Sequence, residues 1–462
     1  MDAQTFKGKW WSPNSPDEKV PGIVEYHPEE GEVDLFGTLV ESEEDDEEAH
    51  FMEMDLEDHV EGFLLGETIE SKLVTITDAV PVNISRPSIG NEAGHPNSVY
   101  KFTRVYTGGH FEEEPEFNQV SFGFNGLAEW FGESRIEHEV SDEDGIRSRY
   151  GVKEPKTVEI KLRDAELTFF VGTTVSSSVT ATELEDSVRV NIIPDEPLPF
   201  PELSNRYINP LQRYLALATA TPVQPTDVSG MVGEDTWIKV FSNIPSHAPA
   251  DRSVSRASML FRPDDVNLEN SLQHWFQDEG QAEYLFNFYF GTIYNSHLFL
   301  EHQFLSLAVA IESYFSHRYP DFKIMEKDAY RDLRKSLVSE IPNGLEVKER
   351  IQNLLQSIGN LPSFKDKLEM VVEEERSVLT LLVDVDETLS TATTIRHDLA
   401  HGLGEDYSTE ELVKTRYKLQ IIIECILLDI AGVEDKHKAQ VLYSNYQGAD
   451  FLSVDKEVKS DE

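Results

Sequence analysis

Four residues able to move protons or hold phosphate crowd into six positions near the C-terminal end: Arg396, His397, Asp398 and His401. They lie in the stretch Thr394-Ile395-Arg396-His397-Asp398-Leu399-Ala400-His401-Gly402. Apolar helical segments flank this stretch, and Gly402 and Gly404 follow where a helix is expected to stop in a left-handed cap. At about 100° per residue, His397 and His401 lie roughly 40° apart on one helix face, whereas Arg396 and His401 diverge by about 140°. Histidine, with an ordinary pKa of about 6.5, serves as a general acid or base near neutral pH. Arginine presents a permanently charged fork matched to phosphate oxygens. The plain alternative is a set of ordinary polar residues on a solvated helix face.

The spacing of Arg396 and His401 resembles the R-x4-H signature of HEPN ribonucleases. These are all-helical domains in which an Arg and a His line a cleft that a second subunit usually completes. The resemblance implies that His401 exchanges a proton with a ribose 2′-hydroxyl or the leaving oxygen and that Arg396 stabilises the charge of the phosphorane. The 2′-hydroxyl is an internal nucleophile, so no metal or other cofactor is required, and the products are a 2′,3′-cyclic phosphate and a 5′-hydroxyl. A competing reading takes His397 and His401 as metal ligands, since His397-Asp398-x-x-His401 is one methylene short of the zincin H-E-x-x-H. Gly404 falls where the longer metzincin pattern has a glycine. Against it, the acid is the shorter Asp, and position 407, where a third ligand is needed, is Tyr.

The elements that position these residues belong to a chain of 462 residues, long enough for about three domains. Hydrophobic residues make up 39%, and the longest apolar run, Ile421 to Leu428, is interrupted by Glu424 and too short to span a bilayer. No membrane association is expected. Met1-Asp2-Ala3-Gln4 lacks the basic flank and apolar core of a secretory signal, which points to the cytoplasm. The single Cys425 leaves no internal disulfide framework and no cysteine-rich zinc site. Acidic residues outnumber basic ones 86 to 40, for a net charge of −46. Such a balance ordinarily argues against a nucleic-acid partner. Here the acids are spread along the whole chain, as adaptation of a surface to a high-salt, halophilic cytoplasm produces. Molar salt shortens the Debye length to about 3 Å and screens RNA repulsion. Poor folding at low salt follows.

The first 40 residues alternate turn signals with short strands. Gly22 to Tyr26 and Val33, Leu35, Gly37 and Leu39 show the period-2 pattern of half-buried antiparallel strands, and the Pro/Glu/Gly segment between them reads as a hairpin turn. Glu43 to Glu48 is an acidic run suited to a solvated loop. Further strands are expected at 73–77, 99–106, 120–124, 158–162, 167–171, 188–192 and 237–241, with a short helix after Phe124 and an amphipathic helix near 207–220. Residues 226–280 read as strand pieces and Asp/Asn-rich loops linking to the next domain. No catalytic constellation is visible in this half. From Glu279 onward helices are expected: one marked by Leu300, Phe304, Leu307, Ile311 and Phe315, then 329–340, 346–358, 364–381, 385–401 and 412–431.

Several separated segments resemble ApeA-type anti-phage defence proteins, which couple a β-rich N-terminal domain to a C-terminal HEPN domain. They are Gly8-Lys9-Trp10-Trp11-Ser12-Pro13, Val20-Pro21-Gly22 and Tyr26-His27-Pro28-Glu29-Glu30-Gly31; Ser121 to Trp130; and Phe304 to Tyr314. The fold this implies is α+β in two parts: a β-rich antiparallel domain, sandwich or barrel-like, over residues 1–280, then an all-α HEPN bundle over 281–445 and an acidic tail over 446–462. It implies a homodimer formed through the helical domain, an RNA substrate with tRNA as a candidate, abortive infection as the outcome, and an N-terminal domain that meets a phage-derived trigger or restrains the nuclease. By the same resemblance Arg396 and His401 are the catalytic pair. Glu312 stands where such domains often carry an acid and is a candidate to orient the Arg or His; His397 and Asp398 are possible supports. An inactive HEPN sensor and a metal-dependent hydrolase built on His397 and His401 are the alternatives.

Overall fold

The computed structural model describes residues 3–39, 62–85, 97–141, 147–243, 254–295, 297–342, 347–402, 407–447, 449 and 452; the acidic run 43–48, Gly404 and most of the expected tail lie outside them. The chain divides into two compact units, residues 1–256 and 257–462.

The first unit is built from antiparallel strands: β1 (Gln4–Trp11), β2 (Val20–Tyr26), β3 (Gly31–Leu35), β4 (Gly62–Thr68), β5 (Leu73–Ser85), β6 (Asn97–Phe102), β7 (Arg104–Thr107), β8 (Glu116–Phe117), β9 (Gln119–Phe124), β10 (Ile136–Ser141), β11 (Arg147–Val152), β12 (Lys156–Lys161), β13 (Ala165–Ser177), β14 (Thr182–Pro194), β15 (Leu198–Pro199), β16 (Pro225–Val232) and β17 (Thr236–Ser242). Six of them close on themselves in the order β5-β4-β1-β2-β3-β6, with β6 pairing back onto β5. The expected hairpin is present, with Tyr26 opposite Gly31 and the His27 N–H donating to the Glu30 carbonyl at 2.9 Å. Its alternation points Val24, Tyr26, Val33 and Leu35 into the barrel beside Trp10, Ile76 and Tyr100. Gly66 stands opposite Trp10, and a Cβ there would lie 2.1 Å from the indole, so only glycine fits.

Strand β5 does two jobs. Its first half pairs with β4 and β7 and its second half with β6, the change of partner falling around Asp78, whose φ of 57° is left-handed. From β7 an open arm continues as β17-β16-β9-β14-β13-β12. One face of the arm is covered by α1 (Leu127–Phe131), α2 (Phe200–Leu203) and α3 (Asn209–Thr219), through the fully buried Trp130 packed on Phe169 and Tyr214. The helix expected near 207–220 thus starts earlier, at Phe200, and reaches α3 through a π-turn over Ser204–Ile208.

The second unit contains α4 (Leu268–Gln281), α5 (Glu283–Tyr294), α6 (Leu300–Arg318), α7 (Lys327–Glu340), α8 (Val347–Ser357), α9 (Phe364–Glu374), α10 (Arg376–Leu379), α11 (Val385–His401), α12 (Thr409–Ile430) and α13 (Asp435–Asn445). Helix α4 falls where Asp/Asn-rich loops were expected. Asn267 caps it by accepting from the Asn270 N–H, and Leu272 and Trp275 bury its inner face, so local polarity yielded to burial. Helix α12 is buried all round from Lys418 to Leu428 and packs against α6, α11 and α13. Its buried Glu424 accepts from Tyr289 (2.9 Å), Tyr446 (2.9 Å) and Gln420 (2.7 Å), and burial raises its pKa.

The ammonium of Lys438, 1% exposed, docks α13 by contacting Glu375 (2.9 Å), Asp429 (3.1 Å) and Asp435 (2.9 Å). Burial pushes the Glu375 carboxyl up to about 6 from its ordinary 4.5, despite the neighbouring Lys438. The folded state therefore holds this proton more tightly than the unfolded state. Its contribution to stability falls as pH rises from 4.5 through about 6. The stability difference between wild type and Glu375→Gln is expected to move against the wild type by about 2 kcal/mol across that window. Urea unfolding at a series of pH values measures it, and a difference independent of pH would contradict it.

Candidate active site

Helix α11 carries an inward stripe of Val385, Leu389, Ala392 and Ile395, and the stripe continues to position 398. Asp384 caps the helix by accepting from the Glu387 N–H at 2.9 Å, with Asp386 and Glu387 in the first turn where the helix dipole favours them. The expected stop is present: Gly402 adopts φ 65° and its N–H returns to the Asp398 carbonyl. With the stripe fixed inward, Arg396, His397 and His401 are left facing outward.

Arg396 is held where α6, α9 and α11 meet. Its Nη2 lies 3.4 Å from Glu312 Oε1 on α6, and its guanidinium carbon sits 5.8 Å from the centre of the Phe364 ring on α9. Glu312 is also approached by Lys367 Nζ at 4.0 Å, which leaves one carboxylate between two cations. The Arg396 side chain remains 37% exposed, so the fork is anchored on one edge and open to a ligand on the other. His401, the last residue of α11, is exposed. The rings of His397 and His401 stand 4.6 Å apart at 55°, as two positions one turn apart predict. Among the described residues no hydrogen bond joins Arg396 to His401, in keeping with their angular divergence.

Asp398 is buried. It is 3% exposed, and its Oδ2 has no hydrogen-bond partner among the described residues. The acid that the zincin-like reading needs beside the His pair is therefore buried at the end of the inward stripe, whereas both histidines are exposed. No group of three or more His, Cys, Asp or Glu residues is arranged to hold a metal among the described residues. Phe364 and Lys367 frame Arg396, yet nothing in the sequence singles them out. Ser363 and Asp366, spaced as a capping box, mark only the start of α9.

The model of the ApeA N-terminal domain 1 matches residues 5–275, and that of the Apea-like HEPN domain matches residues 305–437. The chain belongs to the ApeA family. The architecture follows as the sequence resemblance implied: a β-rich part containing a closed antiparallel barrel, then a helical HEPN part that carries α6, α9 and α11. An ApeA-type, HEPN-containing defence protein is thereby established, in a family of domains generally found as ribonucleases that act on RNA and dimerise. Neither a curated protein nor a solved structure matches the chain. No helix among the described residues is long and apolar enough to cross a membrane.

Proposed function

We propose that this ApeA-family protein is a metal-independent endoribonuclease of an abortive-infection system, with Arg396 and His401 as its catalytic pair. The observation that carries the reading is Arg396: a guanidinium fastened to Glu312, still open to solvent, on the helix whose last residue is an exposed histidine. In the reaction the 2′-oxygen attacks the adjacent phosphorus and the 5′-oxygen leaves. His401 takes the proton of the attacking 2′-hydroxyl, His401 of the partner subunit gives one to the leaving 5′-oxygen, and Arg396 bonds the equatorial oxygens as charge builds on the phosphorane. Glu312 acts through Arg396 by limiting its rotamers, and His397 lies close enough to His401 to contact the same substrate. Asp398 receives no catalytic role. Cellular RNA, with tRNA foremost, is the proposed substrate in a salt-rich cytoplasm, and the N-terminal part is where a phage-derived trigger acts. An oligoribonucleotide cut by the wild type in EDTA should leave a cyclic phosphate, and a 2′-deoxy substitution at the cleaved position should block cutting. Cutting of the deoxy substrate would overturn the mechanism.

A homodimer formed through the helical unit completes the reading, since the 140° divergence of the two motif residues suits a cleft shared by two copies. Helices α7 and α8 have no buried residues and leave Leu337 (46% exposed) and Leu354 (47%) in solvent, with Ile358 (57%) just past the end of α8. Apolar faces of this kind mark an interaction surface. Leu354→Asp is expected to shift the sedimenting species from dimer to monomer. An unchanged dimer would remove α8 from the interface.

A further inference from the structure

The face of the β arm turned away from α1, α2 and α3 holds a groove that the ribonuclease reading does not use. Cross-strand register aligns Thr107 on β7, Lys239 on β17, Ser229 on β16 and Ser121 on β9 in one transverse row. Their neighbours one position along, such as Ile238 and Val120, point into the core. The short hydroxyl side chains leave a shallow, widely open trough of about 580 Å³ lined also by Arg189 and Trp237. That volume lies within the roughly 300–1,000 Å³ common for small-ligand sites.

Each wall has a distinct chemistry. Arg189 is fixed in place: its Nε donates to Ser121 Oγ at 3.1 Å and its Nη2 to the Asp227 carbonyl at 2.9 Å. The acceptor carbonyl is presented by a bulge in β16 between Thr226 and Ser229, where Asp227 takes a left-handed φ of 48° that non-glycine residues seldom adopt. Lys239 Nζ meets the Asp227 carboxylate at 3.3 Å, an exposed pair that an incoming anion can displace. Trp237 is 50% exposed, whereas Trp10, Trp11, Trp130 and Trp275 are 5% or less.

Charge balance sets this place apart. In a chain with 86 acids to 40 bases, the groove gathers two cations against one acid. A groove of about 500 Å³ in the helical unit shows the reverse, with Asp366, Glu369, Glu373 and Asp386 around Arg376.

We propose that the β-arm groove binds a nucleotide, its base stacked on Trp237 and its phosphate held by Arg189 and Lys239 over the Ser and Thr hydroxyls. An indole face takes any base by stacking, and the Arg fork matches phosphate oxygens. The same chemistry is presented by a free nucleotide and by one residue of a single strand.

Calorimetric titration of the full chain carrying His401→Ala, a variant expected to cut RNA far more slowly than the wild type, uses ATP, hexa-adenylate and inorganic phosphate as probes. ATP or hexa-adenylate should bind one site per chain, and Trp237→Ala and Lys239→Gln should each weaken it about tenfold or more. Tighter ATP identifies a free nucleotide as the ligand, and tighter hexa-adenylate identifies a strand. Both side chains are half exposed, so neither variant threatens folding. The proposal is overturned if neither probe binds, if phosphate alone binds as well as ATP, or if Trp237→Ala leaves the affinity unchanged. The last result would also locate any hexa-adenylate binding elsewhere, including at Arg396.

Discussion

His401→Ala is expected to slow RNA cleavage by about 10²–10⁴-fold, the usual contribution of a positioned general acid or base. The loss should be chemical, not structural. His401 is the final, exposed residue of α11, and the cap that ends the helix is made by Gly402 and the Asp398 carbonyl, neither of which needs the imidazole. The variant should therefore unfold at the wild-type temperature. Arg396→Ala should cost a comparable factor, because the guanidinium faces charge that exists only in the transition state. Arg396→Lys should recover little, since an ammonium cannot reproduce the fork that spans Glu312 on one edge and phosphate on the other. Glu312→Gln tests positioning: the neutral amide still reaches Arg396 but no longer fixes it by charge. Its predicted loss is smaller than that of Arg396→Ala and falls mainly on kcat. Equal rates for wild type and His401→Ala, measured at saturating RNA, would remove the histidine from the chemistry.

The largest expected effect on stability comes from Lys438→Ala, at about 3–5 kcal/mol, the cost of breaking a buried ion pair by removing one partner. Lys438 is 1% exposed and Glu375 7% exposed, so the deletion strands a carboxylate and opens a void beneath α13. Asp429 and Asp435 reach solvent and are less affected. Lys438→Met should cost less, because the methionine fills the stem volume, and combining it with Glu375→Gln should recover part of the loss. This agrees with the raised Glu375 pKa: the carboxylate suffers from burial even with its partner present. Denaturant unfolding of the single and double variants measures the coupling. A loss of under 1 kcal/mol for Lys438→Ala would mean that water reaches Glu375 as soon as the lysine is gone.

Local signals made much of this fold legible. The period-3.6 stripe and the glycine stop placed α11 at 385–401, and Phe304, Leu307, Ile311 and Phe315 marked the buried face of α6. The β2–β3 hairpin followed from alternation and turn chemistry. Barrel closure was not legible, because it depends on β5 changing partners half-way along and pairing with β6, a choice no local pattern encodes. Helix α4 was hidden for a related reason: Asp264, Asp265 and Asn267 just before it favour a loop, and Leu272 and Trp275 impose a helix only once they have a core to enter. In the candidate site, residues of charged type announced themselves, whereas the Phe364 ring beside Arg396 has no signature outside the packed structure. Asp398 belonged to the same conspicuous cluster, yet its position on the inward stripe separates it from the others.

Total-RNA cleavage in high salt with EDTA, run side by side for wild type, Arg396→Ala and His401→Ala, tests the central claim most directly. Only the wild type should cut, and its fragments should end in 2′,3′-cyclic phosphate. Activity that appears only after zinc or manganese is restored, or cleavage that persists in both variants, would contradict it.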